Sequence, residues 1–129
     1  MTFPDDVRYT KEHEWAREQG GLVTVGITGY ATDQLGDVVF VELPAIGRKL
    51  EAGKSFGVVE AVKTVSDLYA PVAGEVVEVN GALGDDPAAV NRDPYGQGWM
   101  VRLKPSDPKA LAALLTSAAY AKLVEEQHA

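Results

Sequence analysis

The sequence predicts a mainly β protein, a sandwich or barrel of short strands, and three observations carry that prediction. Apolar residues alternate at period two in several separated segments. Turn-forming pairs then follow one another closely: Leu43-Pro44, Ala52-Gly53, Ala70-Pro71, Ala73-Gly74, Asn80-Gly81, Asp86-Pro87 and Asp93-Pro94. Third, a weak internal repeat is present. Gly36-Asp37-Val38-Val39-Phe40-Val41 returns as Gly74-Glu75-Val76-Val77-Glu78-Val79, and Gly53-Lys54-Ser55-Phe56-Gly57-Val58 is echoed by Gly96-Gln97-Gly98-Trp99-Met100-Val101. Either Gly-x-Val-Val recurs by chance in a β-rich chain, or one β-unit is duplicated and packed about a pseudo-two-fold axis. In the second reading, the segment holding Lys63 links two equivalent sheets.

Taken in order, the first strand signal is Val23, Val25 and Ile27 alternating with Leu22, Thr24 and Gly26. Between it and the next lies Tyr30 to Leu35, a short helix with Thr28 as N-cap and Gly36 at C′. Val39, Val41 and Leu43 alternate against Val38, Phe40 and Glu42, and Trp99, Val101 and Leu103 against Met100 and Arg102. The last fifth of the chain changes character. Ser106-Asp107-Pro108 reads as a helix start, with Asp107 as N-cap and proline at N1. Leu111, Leu114 and Leu115 make one apolar face, which resumes out of phase at Tyr120, Leu123 and Val124. Two short helices over about 107–127 fit that shift, the second capped by Thr116.

A chain of 129 residues suits one domain spanning 1–129. With 19 acidic and 12 basic side chains its formal charge is −7, which argues against nucleic acid and anionic membrane as partners, since both need clustered Lys or Arg. The absence of cysteine removes disulfides, thiolate metal sites, iron–sulfur clusters and Cys nucleophiles. No apolar run approaches the roughly 20 residues of a membrane span. Met1 to Asp6 carries neither a secretory nor a transit signal, so the chain reads as soluble and cytoplasmic, in an organelle matrix only if a transit peptide was removed.

Catalytic equipment is sparse. His13 and His128 are the only histidines, and none of Ser55, Ser66, Ser106 and Ser117 sits in a Gly-x-Ser-x-Gly elbow. His13 with Glu12, Glu14 and Asp67 lacks metal-ligand spacing, and no glycine run forms a phosphate loop. His13 and Trp15 read as ordinary strand packing. The informative stretch is Gly57 to Pro71. Its 15 residues exceed the usual strand of about 5–6, so a turn belongs inside it. Lys63, between Val62 and Thr64, is either a solvated charge or a primary amine available for acylation. At a hairpin tip such an amine would make a tethered arm, raising a cofactor's effective concentration at each partner.

Several motifs in order then carry a resemblance. They are Tyr9-Thr10-Lys11-Glu12-His13-Glu14-Trp15, Val25-Gly26-Ile27-Thr28, Leu35-Gly36-Asp37-Val38-Val39-Phe40-Val41-Glu42-Leu43-Pro44 and Glu60-Ala61-Val62-Lys63. Ser66-Asp67, Ala70-Pro71-Val72, Gly74-Glu75-Val76, Val90-Asn91, Asp93-Pro94-Tyr95-Gly96 and Gly98-Trp99 follow. In this order and spacing the chain resembles the glycine cleavage system H proteins over nearly its whole length, least in 16–21 and after 104.

The resemblance implies a flattened β-barrel of two sheets, the biotinyl/lipoyl carrier fold or barrel-sandwich hybrid, with the modified lysine on a hairpin tip. It implies lipoic acid in amide linkage to Lys63, with Glu60 and Gly47 at positions recognised by the lipoate-attaching enzyme. Ala61, Thr64 and Gly29 stand where the family often has serine, alanine and aspartate. Lys63 lacks the flanking methionines of biotin attachment. The implied role is a non-catalytic shuttle. It takes an aminomethyl group from glycine decarboxylase to the aminomethyltransferase and electrons to dihydrolipoyl dehydrogenase. The alternatives are a lipoyl or octanoyl relay to other lipoate-dependent proteins, or an unmodified acidic β-barrel that binds partners. The loaded arm would end in an ammonium, and carboxylates in a cleft would hold it by charge-assisted hydrogen bonds. Glu14, Asp67 and Glu12 are the candidates, Glu12 also reading as a solvated strand charge. Acylating Lys63 would take the charge from −7 to −8.

Overall fold

The computed structural model describes residues 2–128. Among the described residues nine strands form two antiparallel sheets. A six-stranded sheet has the order β1 (Arg8–Tyr9), β2 (Glu14–Gln19), β3 (Leu22–Ile27), β9 (Val101–Pro105), β8 (Gly74–Val79) and β5 (Lys49–Leu50). A three-stranded sheet has the order β4 (Val38–Glu42), β6 (Ser55–Ala61) and β7 (Val65–Tyr69). Apolar side chains from both interleave in one core, with Val23, Val25, Val76, Val101 and Leu103 from the larger sheet against Val38, Phe56, Val59 and Leu68 from the smaller. Burying one face of each sheet against the other is what holds a sandwich together.

The repeat corresponds to structure. Its first copy supplies β4 and the start of β6, its second β8 and the start of β9, and each pair is antiparallel neighbours, one pair in each sheet. Both pairs carry a register shift, between Val38 and Phe40 in one and between Val76 and Glu78 in the other, which are equivalent repeat positions. Chance recurrence of valine pairs does not explain a bulge at the same place twice. The expectation that Lys63 bridges the sheets is corrected, however. Lys63 lies inside the smaller sheet, in the β6–β7 hairpin, and the crossing to the larger sheet is made by Ala70 to Ala73.

Helix α1 (Gly29–Leu35) has the expected caps: Thr28 Oγ1 accepts the Ala31 N–H at 3.1 Å, and Gly36 ends the helix with φ +80°. The bulge in β4 breaks the expected alternation, leaving Val39 and Phe40 both exposed. Strand β9 begins at Val101, and Trp99 lies before it with the Arg102 guanidinium 4.0 Å from its ring centroid. The helix expected from Asp107 is reduced to a single 3₁₀ turn, Ala110–Ala113. There the Asp107 carboxylate accepts the Lys109 N–H at 2.9 Å, and Leu114 is already extended, so no α-helix propagates. A short helix α2 (Ala89–Arg92) precedes β9, and the second helix expected near the C-terminus, α3 (Ser117–His128), forms with Thr116 Oγ1 accepting the Ala119 N–H at 3.2 Å. It seats Tyr120 and Val124 in a second cluster with Val7, Tyr9, Trp15 and Tyr30. Among the described residues no helix is long and apolar enough to cross a membrane.

Candidate functional site

Lys63 stands at the hairpin tip Val62-Lys63-Thr64 between β6 and β7. The tip is fixed by backbone: the Ala61 N–H donates to the Thr64 carbonyl at 2.8 Å, and the Val62 N–H to the Asp37 carbonyl at 3.0 Å. Lys63 itself is exposed and joins no ion pair among the described residues. Its stem crosses Gly36, where an added Cβ would come within 3.5 Å of the lysine Cδ and Cε. The corner beneath is clamped by Asn91, whose side-chain amide donates to the Gly36 carbonyl and accepts the Val38 N–H, each at 2.9 Å. Asn91 entered the sequence reading only as part of a motif. Nothing in a sequence says that one side chain will span two backbone groups far from it.

Glu60 is half-buried on the outer face of the smaller sheet, in one row with Phe40 and Val65. Gly47 lies elsewhere, in the loop between β4 and β5, with its N–H donated to the Val76 carbonyl of the larger sheet at 2.7 Å. Its φ of +94° is the reason glycine stands there.

Beside the hairpin, a cleft of about 280 Å³ opens between α1, the β1–β2 loop and β7. Leu35, the residue before Gly36, lines it with Tyr30, Ala31 and Gln34 of α1; Val59, Ser66 and Leu68 come from the hairpin. All three predicted carboxylates are also among its lining residues, but they differ. Glu14 is buried to 1% exposure, while Glu12 and Asp67 are exposed at the rim. In β7 the alternation turns Ser66 and Leu68 inward and leaves Asp67 beside Tyr69 on the outer side.

Glu14 enters the cleft from the first position of β2, held by a tight turn. The Thr10 N–H donates to the Glu14 carbonyl at 3.0 Å, and the Thr10 hydroxyl to Glu14 Oε1 at 2.8 Å. The Tyr69 N–H reaches Oε2 at 3.3 Å. Burial is the largest influence on this carboxyl, pushing its pKa up to about 8 against the opposing hydrogen bonds from Thr10 and Tyr69. His13 is not packed in a strand as expected. It sits in the preceding loop at φ +72°, its Nδ1 2.7 Å from the Tyr120 hydroxyl, and burial lowers its pKa. That hydroxyl also meets Thr28 Oγ1 at 2.8 Å, tying α3 to two walls of the cleft. Trp15 does pack as expected: it is fully buried, its indole N–H donating to the Pro94 carbonyl at 2.9 Å over Gly26, where a Cβ would come within 2.7 Å of the ring. Among the described residues no group of three or more His, Asp or Glu side chains is placed to hold a metal.

Residues 7–127 match the family model described as glycine cleavage H-protein. The chain is 57% identical over 127 residues to the glycine cleavage system H protein of Anaeromyxobacter sp. (strain K), covering 98% of this chain and 99% of that one. It is 52% identical to that of Bacteroides thetaiotaomicron over 124 residues, 96% of this chain and 98% of the relative. The crystal structure of a glycine cleavage system H protein from Mycobacterium marinum superposes with a TM-score of 0.85 at 44% identity, covering 98% of this chain and all of that one. Proteins of this kind are lipoyl-bearing shuttles of the glycine cleavage system, carriers and not catalysts. The match over nearly the whole chain shows that it belongs to the glycine cleavage H-protein family.

Proposed function

We propose that Lys63 carries lipoic acid in amide linkage and that the neighbouring cleft, with Glu14 as its seat, shelters the amine-bearing end of the arm between partners. The observation that carries this reading is the junction of an exposed amine with a buried carboxyl. Lys63 is rooted over Gly36, and Gly36 follows Leu35, a wall of the cleft that contains Glu14. The residues fit the group. An amine at an exposed tip is open to an attaching enzyme, and a cleft that pairs an apolar wall of Ile27, Leu35, Val59 and Leu68 with one buried carboxyl suits a hydrocarbon arm ending in a cation. When bound, lipoic acid supplies two sulfurs that accept a one-carbon unit and electrons.

The chain's own residues do the rest. Acylation removes the Lys63 charge, taking −7 to −8. Leu35, Val59 and Leu68 exclude water from the seated end. Glu14 accepts hydrogen bonds from the ammonium, while Glu12 and Asp67 add negative potential at the rim. Glu60, beside the tip, and Gly47, in the β4–β5 loop, contribute to recognition by the lipoate-attaching enzyme. Glycine decarboxylase, the aminomethyltransferase and dihydrolipoyl dehydrogenase are the partners that receive the arm, and tethering keeps its effective concentration high at each.

Intact-mass spectrometry tests the attachment. Protein produced with lipoate and an attaching enzyme gains one lipoyl group, mapped to Lys63 by peptide fragmentation, and Lys63→Arg abolishes the gain completely. A lipoyl adduct surviving in Lys63→Arg, or an unmodified wild-type chain under those conditions, rejects the assignment.

A further inference from the structure

We propose that Glu14 exchanges a proton for the cationic end of the arm: it holds a proton while the cleft is empty and releases it to solvent when a primary ammonium is seated, so that docking tightens as pH rises. This rests on the cleft reading above and adds what sets the strength of docking.

The argument is one of missing countercharge. Glu14 is 1% exposed, and its oxygens have a hydroxyl from Thr10 and one long N–H contact from Tyr69. The ion pairs among the described residues are Arg17–Asp6, Arg92–Asp86 and Arg102–Glu78, none of which reaches it. The titratable groups around it are Glu12 and His13 from its own loop, Asp67 and Tyr69 from β7, Tyr30 from α1 and Tyr120 from α3. Two are acids and three are phenols. His13, the one potential cation, has its Nδ1 engaged by the Tyr120 hydroxyl and is held neutral by burial. An ionised Glu14 would therefore be buried with no countercharge among these groups, and Glu12 and Asp67 would add further negative charge. Desolvation with a small contribution from Glu12 raises its pKa to about 8, in keeping with this geometry.

An ammonium entering the cleft supplies the missing charge. The balance is simple: a carboxylic acid and a free ammonium become a carboxylate–ammonium pair and one solvated proton, with only the Glu14 O–H bond broken. Docking is then linked to pH, weakening tenfold for each unit below the pKa of the empty site and levelling off above it. The same linkage selects the charged arm over its uncharged forms, which gain nothing from an ionised Glu14.

Carbon-13 NMR of lipoylated protein labelled at glutamate carboxyls tests this directly. In the unloaded protein Glu14 should titrate near pH 8 and be an acid at pH 7. In protein carrying the glycine-derived amine on its arm it should be a carboxylate at the same pH. The rate of amine loss in Glu14→Gln relative to wild type should climb nearly tenfold between pH 6 and 7 and level off above 8. A Glu14 already ionised at pH 6 without load overturns the proposal. So does one that stays an acid while the signals of Tyr30 and Leu68 shift on loading. Signals of Tyr30 and Leu68 that never move would instead remove the cleft reading itself, and the linkage with it.

Discussion

The hairpin tip and the cleft meet at Gly36, yet they are built on opposite principles. At the tip Val62 and Val65 are 73% and 61% exposed, and the loop is held chiefly by backbone hydrogen bonds. In the cleft Val59 and Leu68 are 1% exposed, and side chains from two sheets and helix α1 close around one carboxyl. A lysine that an enzyme must reach needs a surface without packing of its own. A seat for a labile cation needs the reverse, because a charge is held firmly only where water is removed from it. Perturbing the tip should therefore change modification with little loss of stability, and perturbing the cleft should change stability at once.

The largest expected effect is at Glu14. Its carboxyl is raised from an ordinary 4.5 to about 8 by burial, so between those values the folded protein binds more protons than the unfolded chain. Stability then falls as pH rises through that window. Glu14→Gln keeps the shape and removes the titration. Relative to wild type it should be nearly neutral at pH 4.5 and more stable above pH 8, by on the order of 4 kcal/mol. Urea unfolding across pH 4.5–9 measures the difference, and parallel curves for the two proteins would show that Glu14 is ionised without penalty.

Next comes the corner that joins the regions. Asn91→Ala leaves the Gly36 carbonyl and the Val38 N–H without their partner, at a cost of about 2 kcal/mol. The tip's own hydrogen bonds, Ala61 to Thr64 and Val62 to Asp37, do not involve Asn91. Lipoylation of Lys63 should accordingly proceed as in wild type while the unfolding midpoint drops. A variant that is both destabilised and poorly modified would mean that the tip draws its shape from the corner.

Local features of this fold were legible in the sequence, and long-range ones were not. The caps of α1 were readable because Thr28 and Gly36 act within a few residues of themselves. A turn inside Gly57 to Pro71 was readable from length, and the bulge at Val38–Phe40 was not, since an extra residue is defined only against the partner strand. Asp107-Pro108 satisfied every rule for a helix start, but the chain after it must turn extended at Leu114 to pair Leu115 with Tyr9. The three candidate carboxylates all line one cleft. Their inequality was hidden, because what buries Glu14 and exposes Glu12 is the approach of β7, α1 and α3 from distant sequence. Tyr120 had an apolar period and nothing to announce that its hydroxyl ends on His13 and Thr28.

The smallest effect is expected at Gly36, where the two regions touch. Its φ of +80° with ψ of −158° is a conformation open essentially to glycine alone, so Gly36→Ala should cost on the order of 1–2 kcal/mol in backbone strain. The added methyl would lie 3.5 Å from the Lys63 Cδ and Cε, an ordinary van der Waals distance, so no clash compounds the strain. At Gly26, by contrast, a Cβ meets the Trp15 ring at 2.7 Å, and something must move. The comparison of tip with cleft thus predicts a slightly lower melting temperature for Gly36→Ala and an unchanged rate of lipoylation. A rate that falls several-fold while the melting temperature holds would sharpen the picture in a definite direction. The lysine stem would then be guided by its contact with the helix end, and the packing that orders the cleft would extend one residue into the tip.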